Sequence, residues 1–97
     1  HRLFNKGFKG DSKMNIILVT AIWCPSCIIM RPRYQKLFEK FNLKCVELDF
    51  DDDEEEVEKL NVGKTLPVCI IIKDGKEKTR IIGEKSLKEL EDLIEII

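Results

Sequence analysis

The stretch Ile22-Trp23-Cys24-Pro25-Ser26-Cys27 joins a short apolar run, residues 16–19, to a segment with helical periodicity. The sequence therefore predicts a buried strand that ends before Cys24 and a helix that begins at about Pro25. Proline suits the first helical position, because the N–H that it lacks would have no helical partner there. The two cysteines then lie at the start of one helix, where they are candidates for a metal clamp, a structural disulfide or a redox pair.

The segments on either side predict an α/β fold with the element order β-α-β-α-β-β-α. The first helix is expected to run to Phe41, with Ile29, Leu37 and Phe41 on one face, and to stop at Asn42. Since helices separate the first three strands, these strands are expected to be parallel, and a hairpin at Asp74-Gly75 adds an antiparallel edge. The result is a four-stranded mixed sheet with helices on both faces. Its further elements are strands at 44–50, 68–72 and 78–82, a helix after the acidic residues, and a last helix that Ser86 and Glu89 open as a capping box.

Composition predicts one small domain and excludes several function classes. The chain has 97 residues, 43% of them apolar, enough for a single core. We expect a compact domain over 14–97, preceded by a flexible arm or non-native remnant at 1–13. Seventeen basic and eighteen acidic residues give a net charge of -1, which provides no field for nucleic acid or an anionic membrane. Apolar runs are too short to span a bilayer, and no secretory signal is visible, so a cytoplasmic location is expected.

The acidic run from Asp49 to Glu56 suggests cation binding at first sight, because seven of its eight residues carry carboxylates. It lacks the central glycine of an EF-hand loop. We interpret it as the solvated start of a helix, where carboxylates are stabilised by exposed backbone amides.

The position of the cysteine pair favours redox chemistry. Cys24 faces the N-terminus of the predicted helix, whose unpaired amides stabilise a thiolate, and Cys27 lies one turn further in, within reach of the Cys24 sulfur. A zinc site needs about four ligands, and the chain has no second CxxC and only His1 as a histidine. A permanent disulfide would close too short a loop to stabilise the fold much. Cys45 and Cys69 lie in apolar surroundings and are expected to be unpaired buried thiols.

Residues 15–97 resemble the thioredoxin superfamily in several motifs. Trp23-Cys24-x-x-Cys27 is similar to the family's active-site motif, and Pro32 matches the proline within its active-site helix. The remaining matches are Thr65-Leu66-Pro67 with the cis-proline motif, Asp74-Gly75 with the hairpin, and Ile82-Gly83 with the glycine beside the substrate groove.

The resemblance implies a thiol-disulfide oxidoreductase that reduces or exchanges protein disulfides without a cofactor or metal. Cys24 would be the nucleophile and Cys27 the resolving thiol. Implied partners are disulfide-containing proteins and a reductase or glutathione as electron donor, and a monomer is expected. The residues implied in substrate binding are Trp23, Pro25, Ser26, Leu66, Pro67 and Gly83.

The chain also departs from the family pattern. Pro25-Ser26 between the cysteines and Thr65-Leu66-Pro67 are closer to glutaredoxins, so a glutathione-coupled reductase is one alternative. Leu18 stands where thioredoxins carry a buried aspartate, and Glu47 where they carry a lysine, so proton transfer to Cys27 would need water or Glu47. Two alternatives from other classes remain open at this point: a metal-binding module that adds Cys45 or Cys69, and a redox-silent domain that only holds a partner.

Overall fold

The structure is a computed structural model that describes residues 14–97, so the predicted arm at 1–13 lies outside the described residues. Its elements follow the predicted order. None of the helices in this part of the chain is long and apolar enough to cross a bilayer. The elements are β1 (Met14–Thr20), α1 (Pro25–Lys40), β2 (Lys44–Asp49), α2 (Glu54–Lys59), β3 (Val68–Lys73), β4 (Lys76–Ile82) and α3 (Leu87–Ile96).

The four strands form one mixed sheet in the order β2-β1-β3-β4. β1 is parallel to β2, but β3 runs antiparallel to both β1 and β4. The prediction that the first three strands are parallel was therefore wrong for β3. Helix length explains the difference. The 16 residues of α1 span about 24 Å and return the chain to the end of the sheet where β1 begins. The six residues of α2 span only about 9 Å. β3 consequently begins at the edge where β1 and β2 end.

The core consists of two apolar clusters, one on each face of the sheet. On one face, α1 and α3 pack against Ile16 and Leu18 of β1. On the other, Val57 of α2 packs against Val19 and the start of β3. Helices therefore cover both faces, as predicted, and the two clusters fix the end of β1 from both sides.

The buried face of α1 differs from the predicted one. It consists of Cys27, Met30, Tyr34 and Leu37, which recur every three or four residues. Ile29 lies outside this stripe and is exposed, so its assignment to the apolar face was wrong. The helix ends at Lys40, and Asn42 takes a positive φ of 54° directly after it, which confirms the predicted stop.

The starts of the two shorter helices and the hairpin turn agree with the predictions made from the sequence. Glu54, Glu55 and Glu56 are exposed in the first turn of α2, so the acidic run is a solvated helix start. Ser86 and Glu89 form both hydrogen bonds of a capping box at α3. The Asp74-Gly75 turn has positive φ at both residues, the backbone that a two-residue hairpin requires.

Candidate active site

The two cysteines lie where β1 gives way to α1. Cys24 caps the helix in extended backbone, and its carbonyl accepts a hydrogen bond from the N–H of Cys27 at 3.1 Å. Because the motif forms the first helical turn, both thiols lie at its N-terminal end. Cys24 is 7% exposed and Cys27 2% exposed, so a reagent from solvent reaches Cys24 more easily.

The Cys27 thiol is held in its protonated form at neutral pH. Burial, and then the contact with the Cys24 thiol, raise the pKa of Cys27 to about 11. The positive charge of Arg31, one turn along α1, acts in the opposite direction and more weakly. Cys27 therefore needs to lose a proton before it can act as a nucleophile.

The segment before β3 faces the cysteine pair. The peptide bond between Leu66 and Pro67 is cis. The carbonyl oxygen of Leu66 lies 3.6 Å from the Sγ of Cys24, which donates to it. The next carbonyl, that of Pro67, accepts a hydrogen bond of 3.0 Å from the N–H of Gly83. The fold thus brings three predicted site residues, distant in sequence from Cys24, to one place beside it.

Gly83 has a backbone conformation that suits glycine. Its φ is +80°, in the left-handed region. A side chain at this position would also lie 3.7 Å from the Cγ2 of Thr65. Glycine therefore keeps the turn after β4 unstrained and close to the loop that precedes Leu66.

Trp23 lies on the surface next to Cys24, with 53% of its area exposed. Its Nε1–H donates a hydrogen bond of 2.6 Å to the Oδ2 of Asp51, and its ring meets Phe50 edge to face at 5.9 Å. Asp51 was not among the predicted site residues, since the acidic run was interpreted as a solvated helix start. A signal was present, because Trp23 follows β1 and Asp51 follows β2, and parallel neighbouring strands end at the same edge.

The two residues between the cysteines occupy different environments. Pro25 is exposed at the first helical position. Ser26 is half-buried, and its Oγ–H donates a hydrogen bond of 2.7 Å to the Oε2 of Glu84. Glu84 is a second residue that the sequence analysis did not identify, although it directly follows Gly83.

The position of the usual buried aspartate is apolar here. Leu18 is buried in the core, and the Glu47 carboxylate lies at the partly exposed edge of β2. The Oε2 of Glu47 accepts a hydrogen bond of 2.7 Å from the Oγ1–H of Thr20 and forms an ion pair of 2.8 Å with Arg31. The carboxylate is therefore tied to Arg31, the same side chain whose charge acts on Cys27, and its part in proton transfer stays a prediction.

Cys45 and Cys69 are free thiols on separate strands, with β1 between them. Two strand spacings put their backbones at least about 9.6 Å apart, beyond the reach of a disulfide. Burial, and secondarily the charge of Glu47, raise the pKa of Cys45 to about 12, and burial also raises the pKa of Cys69. Cys69 is fully buried, as predicted, but Cys45 is partly exposed, so the prediction of a buried thiol was wrong for Cys45. That both thiols are unreactive stays a prediction.

The described residues offer little to a metal ion. Within 14–97, no group of three or more His, Cys, Asp or Glu side chains is arranged to hold one. Among the described residues, no further side chains join Cys24 and Cys27 in a group of the size that a structural zinc site requires.

Comparisons with known proteins agree with this geometry. The family model described as Thioredoxin matches residues 1–96. The chain is similar to Thioredoxin H2 of Arabidopsis thaliana, with 35% identity over 83 residues that cover 84% of this chain and 61% of the relative. It is also similar to thioredoxin of Bacillus subtilis, with 26% identity over 94 residues, 93% of this chain and 89% of the relative.

Among solved structures, oxidized mitochondrial thioredoxin 3 of Saccharomyces cerevisiae superposes with a TM-score of 0.78 at 26% identity. The superposed region covers 90% of this chain and 81% of the yeast chain. Reduced thioredoxin of Schistosoma mansoni gives a TM-score of 0.76 at 31% identity, over 87% of this chain and 78% of the Schistosoma chain. The chain thus spans about three fifths of the plant relative but most of these solved chains.

Proposed function

Since the chain belongs to the thioredoxin family, we propose that it is a thiol-disulfide oxidoreductase that reduces or exchanges disulfides in other proteins. The observation that carries the proposal is the pair of contacting thiols at the start of α1, with the Leu66 carbonyl 3.6 Å from the more accessible sulfur. The other two cysteines lie within strands rather than at a helix start; Cys69 is fully buried and Cys45 is partly exposed.

In the first step, the Cys24 thiolate attacks one sulfur of the substrate disulfide. A bond forms between the Cys24 sulfur and that sulfur, the substrate S–S bond breaks, and the other substrate sulfur leaves as a thiolate that takes up a proton. The N-terminal end of α1, where the helix dipole is positive, favours the negative charge on the attacking sulfur.

In the second step, Cys27 loses its proton and attacks the Cys24 sulfur. The Cys24–Cys27 disulfide forms, the mixed disulfide breaks, and the second substrate thiol is released, so two electrons have passed to the substrate. Because the pKa of Cys27 is raised to about 11, this step needs a base to accept its proton. We propose that water or the leaving substrate thiolate accepts it, since Arg31 and Thr20 already engage the Oε2 of Glu47.

The substrate is proposed to lie across the surface formed by Trp23, Ser26, the Leu66-Pro67 segment and Gly83, with Pro25 at its edge. Contacts already described bring these residues together around Cys24. A reductase or glutathione would return the disulfide to dithiol. Action as a monomer and a cytoplasmic location complete the proposal; sedimentation of the purified chain and subcellular fractionation test these two parts.

The activity is tested by reduction of insulin with dithiothreitol as electron donor, followed as the precipitation of the released B chain. The protein should accelerate it, Cys24→Ser should abolish the acceleration, and the doubly substituted Cys45→Ala, Cys69→Ala protein should retain most of it. In parallel, oxidation should lower the native mass by two units without a bound metal. An inactive wild type that binds zinc would overturn the proposal in favour of a metal module.

A further inference from the structure

A carboxylate is fixed at the edge of the cysteine site by a residue of the motif itself. The hydrogen bond of 2.7 Å from Ser26 to Glu84 joins positions 58 residues apart in the chain. Glu84 directly follows Gly83, whose N–H binds the carbonyl of Pro67, and the preceding carbonyl faces the Cys24 sulfur. These contacts hold the Glu84 carboxylate at the opening through which a substrate reaches Cys24.

The charge of Glu84 is not neutralised by a cation in the described part of the chain. The ion pairs formed by residues 14–97 involve other carboxylates. The adjacent Lys85 forms no ion pair with Glu84 among the ion pairs of residues 14–97. Glu84 is exposed, so its negative charge is available to a molecule that approaches the site.

A second carboxylate, that of Asp51, is bound by the residue on the N-terminal side of Cys24. It accepts the hydrogen bond from Trp23, the residue immediately before Cys24, and is also exposed. The opening at Cys24 is therefore flanked by two carboxylates, one bound by the residue before this cysteine and one by Ser26 after it.

Exposed apolar side chains are concentrated in the segments that form the site. Of the six large apolar side chains that are strongly exposed in the described residues, five adjoin the site in sequence and only Ile96 does not. Exposed apolar surface concentrated in one place is typical of a contact site for another protein. The five are Ile22, Trp23, Ile28, Ile29 and Ile82.

From this arrangement we infer that Glu84 is a specificity-determining residue, which makes the site prefer disulfides flanked by basic and apolar residues over those flanked by acidic ones. The inference rests on the proposed function. A cationic group beside the substrate disulfide is attracted by the carboxylate, and an anionic group is repelled. For unit charges about 8 Å apart in water, each effect changes the rate by about two- to threefold, so together they give about fivefold. Salt should weaken the preference, because both charges are exposed.

The test measures the rate at which the fully reduced chain reduces three small disulfides of similar size. Cystamine is cationic, bis(2-hydroxyethyl) disulfide is neutral, and 3,3′-dithiodipropionate is anionic. Each rate constant is divided by that of the same disulfide with 2-mercaptoethanol, a neutral thiol, to remove intrinsic reactivity. The measured quantity is the normalised ratio of cystamine to dithiodipropionate, at about 10 mM and about 500 mM salt, where the screening length falls from about 30 Å to about 4 Å.

Glu84→Gln keeps an acceptor for Ser26 and removes the charge, so it should lower this ratio about fivefold at low salt, and Glu84→Lys should lower it further. Glu95→Gln is the matched control, because Glu95 is an exposed carboxylate near the far end of α3. A ratio unchanged by Glu84→Gln, or changed equally by Glu95→Gln, overturns the inference while leaving the proposed function intact. Failure of the wild type to reduce even the neutral disulfide would instead overturn the proposed function.

Discussion

Treatment of the reduced protein with limiting iodoacetamide at pH 7 should modify Cys24 well before the other three cysteines. Burial raises the pKa of Cys27 to about 11 and that of Cys45 to about 12. At pH 7, about one Cys27 in 10⁴ and one Cys45 in 10⁵ are then ionised, against about 3% of an unperturbed thiol. Since only the thiolate reacts, Cys27 and Cys45 should be alkylated about 300-fold and about 3,000-fold more slowly than a free thiol, and burial should slow the reaction of Cys27 further.

The assay takes aliquots over time, quenches them with excess dithiothreitol, and locates the label by fragmentation of the tryptic peptide 14–33, which contains both motif cysteines. N-acetylcysteine in the same tube supplies the reference rate. Between pH 7 and pH 9 the initial rate at Cys27 should rise about 100-fold, because its pKa lies above this range. Labelling of Cys27 ahead of Cys24, or within tenfold of N-acetylcysteine at pH 7, would refute the reasoning.

Three further predictions concern stability, measured as the free energy of unfolding in urea. Ser86→Ala removes one bond of the capping box and should cost about 1 kcal/mol, whereas an unchanged value would show that α3 does not depend on it. Leu37→Ala should cost about 2–5 kcal/mol because Leu37 is fully buried, and Ile28→Ala, which is 69% exposed in the same helix, should cost far less. Because the pKa of Cys45 is higher in the folded protein than in the unfolded chain, this thiol contributes to the free energy of unfolding below pH 8.5 and loses that contribution as pH rises towards 12. Cys45→Val should therefore make the free energy of unfolding fall less steeply with alkaline pH, by up to about 1.4 kcal/mol per pH unit. Equal slopes for the variant and the wild type would contradict the raised pKa of this thiol.

The element order and the position of the cysteine pair followed from local sequence signals. A strand, a proline at the first helical position and a helical period are set by neighbouring residues, and so is the capping box at Ser86. The direction of β3 was not predictable by the same rule. It depends on whether the connection returns the chain to the other end of the sheet, and α2 is too short to do so.

In the candidate site, too, some residues were predictable from local sequence and others were not. Cys24 and Cys27 are evident from their spacing, but the partners of Trp23 and Ser26 depend on tertiary proximity. Asp51 is 28 residues from Trp23, and Glu84 is 58 residues from Ser26. Ile29 shows the limit of periodicity in one helix, because an apolar residue beside the stripe fits the pattern as well as one within it, and packing alone distinguishes them.

The most direct test of the central claim is to trap the reaction between its two steps. Cys27→Ser, mixed with an oxidised disulfide-containing peptide, should accumulate a mixed disulfide whose intact mass equals the variant plus one peptide thiol. Digestion should place this adduct on Cys24, and dithiothreitol should release it. Cys24→Ser under the same conditions should form no adduct. An adduct on Cys27 in the Cys24→Ser protein, or turnover by that variant equal to the wild type, would contradict the assignment of Cys24 as the attacking thiol.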